Sequence, residues 1–183
     1  MPDSTAELKY QIERQREELK TVNDVGRLLS STTDPAQIIR LVTSYLNESL
    51  PLAMCTVLMV QPRSLHVIRF ANIAQVDMVN ALRGVCEQAS QRLKRPVRED
   101  EFTRADEAQG AAALGPGPIG YLRSSHTTPL VVEGRLVGLL SVFSGKTDAF
   151  STGDQHVIEI VAEQLRAALR NAFLLEELKH ANQ

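Results

Sequence analysis

The chain has no tryptophan, and aromatic residues make up only 4% of its 183 positions. Lysine and arginine number 20 against 22 aspartate and glutamate, a formal net charge of −2. No global field therefore draws it to nucleic acid or anionic membrane. The one basic run, Arg92, Lys94, Arg95 and Arg98, has no interleaved aromatics and meets Glu99-Asp100-Glu101 at once. It reads as a solvated face, and no nucleic-acid partner is expected. No apolar stretch approaches a membrane span, so no membrane insertion is expected. The polar start Met1-Pro2-Asp3-Ser4 is not a signal peptide. Two cysteines, Cys55 and Cys86, sit in apolar surroundings without metal-ligand spacing. That is the pattern of buried free thiols in a reducing compartment, and the expected location is cytoplasmic. Internal repeats, a phosphate-loop pattern, a Ser/His/Asp order and zinc spacing are all missing. What remains is a chain long enough to bury one real core.

Residues 4 to 30 read as one helix. Leu8, Ile12, Gln15, Leu19, Val22, Gly26 and Leu29 follow a 4-3-4-3-4-3 spacing, and Glu13, Arg14, Glu17, Glu18 and Lys20 fill the other faces. Asp34-Pro35 is an N-cap and first-turn pair opening a second helix that Pro51 ends. Met54 to Val60 is nearly all apolar and suits a strand buried on both faces. Leu65 to Ile73 is the next strand. Asp77 is placed to cap a third helix, with Val79, Leu82, Cys86, Ala89 and Leu93 on one stripe, ending before Pro96. Val97 opens a short strand in this reading. Residues 99 to 120 keep no period and end in Gly115-Pro116-Gly117-Pro118, the make-up of a binding loop or lid, with a disordered surface loop as the alternative.

The last sixty residues carry the strongest pattern. Leu122 to Val132 and Arg135 to Phe143 are β-rich runs joined by Glu133-Gly134, a hairpin signal. Ser151 then caps a helix with Asp154 as its capping-box partner. That helix carries a seam at Ile158, Val161, Leu165, Ala168, Ala172 and Leu175, spaced 3-4-3-4-3. It runs through Glu176-Glu177-Leu178-Lys179-His180 without a cap, so a continuation toward a further domain is expected.

Ser125, Pro129-Leu130, Gly134, Val137-Gly138-Leu139-Leu140, Phe150, Asp154, Gln164 and Asn171-Ala172 stand in the order and spacing of the last two strands and closing helix of the GAF domain family. The chain resembles that family over about residues 20 to 178. The resemblance implies an α/β (α+β) fold: a GAF/PAS-like central antiparallel sheet flanked by helices, with long N- and C-terminal helices. It divides the chain into an amphipathic helix over 1–30, a GAF core over 31–155 and a helix over 156–183 that runs into a coiled-coil linker. It also implies that residues 99 to 120 cover the ligand pocket.

Candidate chemistry follows from the strand period of two. Ser124, His126 and Thr128 share one face of their strand, and Arg123, Ser125 and Thr127 share the other. One of these triplets lines the pocket. The first is favoured, with Phe70, Tyr121 and Phe143 as further ligand-binding candidates. Phe70, Tyr121 and Phe143 serve equally, with Phe102, as side chains that would fill an empty pocket. Haem is not expected, because family members that bind it use a histidine in the cover region and residues 99 to 120 contain none. Covalent bilin is not expected, because Cys86 precedes Glu87 and sits on a core stripe. The cyclic-nucleotide signature of the family, Asn-Lys…Phe-x-x-x-Asp-Glu, is met by Lys146, Phe150 and Asp154, while Gly145 and Gln155 replace its Asn and Glu. Lys146, Phe150 and Asp154 therefore read as a structural tie, with room for a Lys146–Asp154 ion pair.

The sequence thus points to a small-molecule-sensing regulatory domain, not an enzyme in this chain and holding no metal. It is expected to form a homodimer along Leu8, Ile12, Leu19, Val22, Leu29, Ile158, Val161, Leu165, Ala168, Ala172 and Leu175. By resemblance, its closing helix passes the signal to an output domain of histidine kinase or diguanylate cyclase type. A ligand-free dimerisation module and a thiol-dependent redox enzyme using Cys55 or Cys86 are the alternatives.

Overall fold

The computed structural model describes residues 4–183; Met1, Pro2 and Asp3, read above as a polar start, lie outside the described residues. The chain divides into two compact units, one formed by the residues through Val42 with His156–Gln183, the other by Thr43–Gln155.

The first unit is helical. α1 spans Ser4–Leu29, α2 begins at Pro35 and runs to Ser49, and α4 spans Thr152–Ala181. Asp34 caps α2 as its spacing predicts: its carboxylate accepts the Ala36 N–H at 3.2 Å. α1 and α4 are joined by a polar contact, His156 Nε2 lying 2.6 Å from Glu18 Oε1. Glu18 is also paired along its own helix with Arg14 at 3.5 Å. The first turns of α1, Ser4 to Glu17, are exposed throughout, and only Val25 and Leu29 of that helix are buried. On α4 the buried stripe is Ile158, Val161, Ala162, Leu165, Leu169 and Ala172.

The second unit holds a five-stranded sheet in the order β3-β2-β1-β5-β4. The strands are β1 Met54–Met59, β2 Ser64–Arg69, β3 Thr103–Ala108, β4 Ser124–Val132 and β5 Arg135–Ser144. The four longer strands expected from the sequence pair antiparallel, and β3 adds a parallel edge against β2, from Ser64↔Thr103 to Arg69↔Ala108. β1 is buried at all six positions, which explains its unbroken apolar run. Glu133 and Gly134 have φ of 50° and 76°, the two left-handed residues of a tight hairpin turn between β4 and β5. A register shift between Leu130 and Val131 leaves Val137 as an extra residue on β5, and its carbonyl accepts the Val60 N–H at 2.9 Å.

α3, Gln75–Leu93, lies across one face of the sheet. Leu82, Val85, Cys86 and Ala89 pack there with Met54, Leu58, Leu65, Val67, Phe102, Leu139 and Phe143. Val79, expected on this stripe, is exposed, and Val85 takes the inward position. Asp77 does not cap α3: Ala74 is the N-cap and makes no side-chain cap bond. Val97 is buried but belongs to no strand. The stretch expected to be irregular, 99 to 120, contains β3 between two short 3-10 turns at Glu99–Glu101 and Gly110–Leu114.

Candidate functional site

The second unit has a cleft of about 340 Å³ between the start of α3, the start of β4 and the end of β5. Long-range hydrogen bonds fix its walls. The Asp77 carboxylate accepts the Leu122 N–H at 2.7 Å, tying the first turn of α3 to the chain entering β4. Gly120 donates to the Asn72 carbonyl at 2.7 Å and accepts the Ala74 N–H at 3.0 Å. The Arg123 N–H donates to the Ser144 carbonyl at 2.8 Å. Asp77, Asn80, Arg123 and Ser125 supply polar lining, over a floor that includes Ala81 and Phe143.

Of the sequence-predicted ligand residues, Ser124 and Phe143 reach this cleft. The Ser124 hydroxyl donates to the Lys146 carbonyl at 2.6 Å and accepts the Ala149 N–H at 3.3 Å, so it organises the turn after β5. His126 and Thr128 stand opposite Val142 and Leu140 of β5, on the face of β4 away from Thr127 and α3. His126 Nε2 and Thr128 Oγ1 are buried there without a hydrogen-bond partner. Phe70 is buried beyond the end of β2, and Tyr121 is 59% exposed. The cleft instead takes Arg123 and Ser125 from the other triplet. The strand period reveals which residues share a face, but only the position of α3 reveals which face it covers. Asp77 and Asn80 carried no sequence signal for a site.

Behind the cleft, a row of hydroxyls crosses the α3-covered face. Gln88 Nε2 donates to Thr127 Oγ1 at 3.3 Å, and Thr127 Oγ1 lies 2.9 Å from Ser141 Oγ. Ser141 pairs with Thr56 on β1, and Thr56 Oγ1, fully buried, has no partner. A buried hydroxyl without a hydrogen bond costs about 1–3 kcal/mol. Thr56→Val keeps the shape and removes that cost, so it is expected to stabilise the protein by about 1 kcal/mol in urea unfolding. A loss of stability would mean that the hydroxyl is bonded in solution.

The residues of the helical seam separate by exposure. Leu29, Ile158, Val161, Leu165 and Ala172 are buried within the chain, whereas Leu8 at 57%, Ile12 at 52%, Leu19 at 68% and Val22 at 37% are open. Leu175 is open too, at 41%. Ala168, Ala172 and Leu175 line a groove of about 400 Å³ in the first unit, with Gly26, Leu29 and Thr33 on its other side. Of the expected tie, Phe150 is buried and Asp154 closes a capping box with Ser151, its carboxylate accepting the Ser151 N–H at 3.0 Å and its N–H donating to the Ser151 hydroxyl at 3.1 Å. Among the described residues Lys146 and Asp154 form no ion pair; Lys146 contributes its backbone, donating to Ser144 Oγ at 3.2 Å.

Both cysteines are buried and free. Burial pushes the Cys55 thiol far above its ordinary range. Cys86 is raised by burial and then by the nearby carboxylates Glu99 and Glu101. The thiolate is the reactive form, so neither thiol is poised for chemistry. Iodoacetamide at neutral pH is expected to leave both unmodified in the folded chain and to label both in denaturant. Labelling of the folded protein at the rate of a free thiol would restore the redox-enzyme alternative. Among the described residues no group of three or more His, Cys, Asp or Glu is arranged to hold a metal ion. No helix among them is long and apolar enough to cross a membrane.

Residues 32–170 match the family model for the GAF domain, and the chain belongs to that family. Solved GAF domains share its fold. The GAF domain of a putative sensor histidine kinase from Pseudomonas syringae pv. tomato is 15% identical, with a TM-score of 0.56 over 95% of this chain and 99% of that one. The GAF domain of a Coxiella burnetii phosphoenolpyruvate-protein phosphotransferase is 15% identical, with a TM-score of 0.53 over 87% and 96%. That of an Acinetobacter phosphoenolpyruvate-protein phosphotransferase is 9% identical, with a TM-score of 0.52 over 88% and 98%. No curated protein matches the sequence significantly.

Proposed function

We propose that this chain is a cytoplasmic, small-molecule-sensing regulatory domain. It dimerises through its terminal helices and passes the ligand's signal along α4 to an output domain of histidine kinase or diguanylate cyclase type. In this reading residues 31–155 are the sensing core, and 1–30 and 156–183 are its connecting helices. The chain itself performs no catalysis. The observation that carries the reading is the open apolar stripe of α1, Leu8, Ile12, Leu19 and Val22, which is 37% to 68% exposed at coiled-coil spacing among the described residues. In this reading the groove of about 400 Å³ lined by Gly26 and Ala168 receives part of a second copy. The GAF domains of similar fold that come from a putative sensor histidine kinase and from phosphotransferases support a regulatory role.

Sedimentation at rising concentration tests the assembly, with a dimer expected in the micromolar range. A monomer throughout overturns it. Thermal-shift screening against small metabolites and cyclic nucleotides tests sensing. The second reading, a ligand-free dimerisation module, is favoured by one feature: Phe102 and Phe143 pack with Met54 and Leu58 under α3, filling that face of the sheet. No shift across a broad panel, with dimerisation intact, would select it.

A further inference from the structure

The cleft at the start of α3 holds two opposite charges that do not pair. Asp77 Oδ2 accepts the Leu122 N–H, and its other oxygen has no partner among the described residues. The Arg123 guanidinium, the Asn80 amide and the Ser125 hydroxyl make no side-chain hydrogen bond or ion pair among the described residues. Where an acid and a base line one small cleft without meeting, a ligand carrying both charges satisfies both at once. A ligand of one sign would face a like charge on one wall. The floor of Ala81 and Phe143 is apolar. At about 340 Å³ the cleft lies near the lower end of the roughly 300–1,000 Å³ of small-molecule sites. Its backbone is held by hydrogen bonds at Gly120, Leu122 and Arg123, so the ordering that binding requires falls on the exposed side chains of Asn80, Arg123 and Ser125.

We infer that this cleft binds a small zwitterion, with an ammonium group toward Asp77, a carboxylate toward Arg123 and a short apolar side chain over Ala81 and Phe143; an α-amino acid is the simplest such molecule. The inference rests on the sensing role proposed above and gives that role a ligand class. It also places the ligand beside Leu122 and Ser124, where β4 begins, so that occupancy bears on the hairpin through a fixed wall.

Calorimetry on the full chain tests it with L-alanine, L-valine and L-leucine, their primary amides and their N-acetyl derivatives. The free amino acids are expected to bind at least tenfold more tightly than either derivative. In Arg123→Gln the advantage of acid over amide should vanish, while the advantage of amine over N-acetyl stays. Asp77→Asn keeps an acceptor for the Leu122 N–H and should produce the opposite pattern. Equal binding of the derivatives, or selectivity unchanged in both variants, overturns the assignment. Binding of a cyclic nucleotide or another unrelated metabolite, with none by amino acids, overturns the zwitterion and leaves the sensing role standing. Silence across the amino-acid series overturns the zwitterion, and silence across the metabolite and cyclic-nucleotide screen as well overturns the sensing role too.

Discussion

Gly138→Ala is expected to destabilise the protein by about 3 kcal/mol, which for a chain of this length lowers Tm by roughly 6–12 °C. A Cβ at this position would lie 2.5 Å from the Leu58 carbonyl oxygen, 3.0 Å from Met59 Sδ and 3.2 Å from a Leu130 methyl. The first neighbour is backbone of the central strand, which cannot swing aside. Gly138 also stands next to the extra residue of β5, where the bulge brings that strand against β1 and β4 together. Relief therefore requires β1 and β5 to separate, and those strands are the buried centre of the sheet. Gly84→Ala is the matching control. It lies within α3, and a Cβ there meets nothing within 4 Å. Alanine should stabilise that helix by about 0.5–1 kcal/mol. Urea denaturation of both variants distinguishes a steric requirement at Gly138 from a general effect of removing glycine. A wild-type midpoint for Gly138→Ala would show that the strands spread freely.

The elements that were legible in the sequence are those whose stability is written in side chains close in the chain. Asp34-Pro35 and Ser151 with Asp154 open helices through bonds spanning two or three residues. Glu133-Gly134 between two apolar runs set the hairpin, because only a turn with left-handed residues matches the strand twist. β3 was illegible for the opposite reason. Thr103-Arg104-Ala105-Asp106-Glu107-Ala108 is polar and mostly exposed, and what makes it a strand is backbone pairing with β2. Its charges suit a sheet edge, where Arg104 pairs with Glu99 at 2.6 Å and with Asp106 at 2.8 Å. Asp77 stands at the spacing of a local cap and instead accepts the N–H of Leu122, 45 residues away. Local patterns carry no trace of such a bond, and the candidate site is built on it.

A charge placed on the open stripe of α1 is expected to abolish dimerisation. Spacing by threes and fours could not separate a stripe that faces its own chain from one that awaits another. Burial does separate them: α4 from Ile158 to Ala172 is closed, while α1 from Leu8 to Val22 is open. Each Leu or Ile buried on such a seam contributes about 1.5–3 kcal/mol, and a two-fold interface counts every substitution twice. Ile12→Glu with Leu19→Glu removes four apolar contacts per dimer and sets like charges near one another. Even at the lower figure, and after allowing for the cost of association, the dissociation constant should rise more than about 100-fold. Both residues are exposed in the single chain, so the monomer's thermal unfolding at low concentration should be unchanged. Glu13→Lys, on another face of the same helix, is the control for altered charge alone. Loss of the dimer in the double variant, with the control intact, places the seam on α1. A dimer that survives four glutamates would move the interface off α1, with the groove beside Ala168 and Leu175 as the next face to substitute.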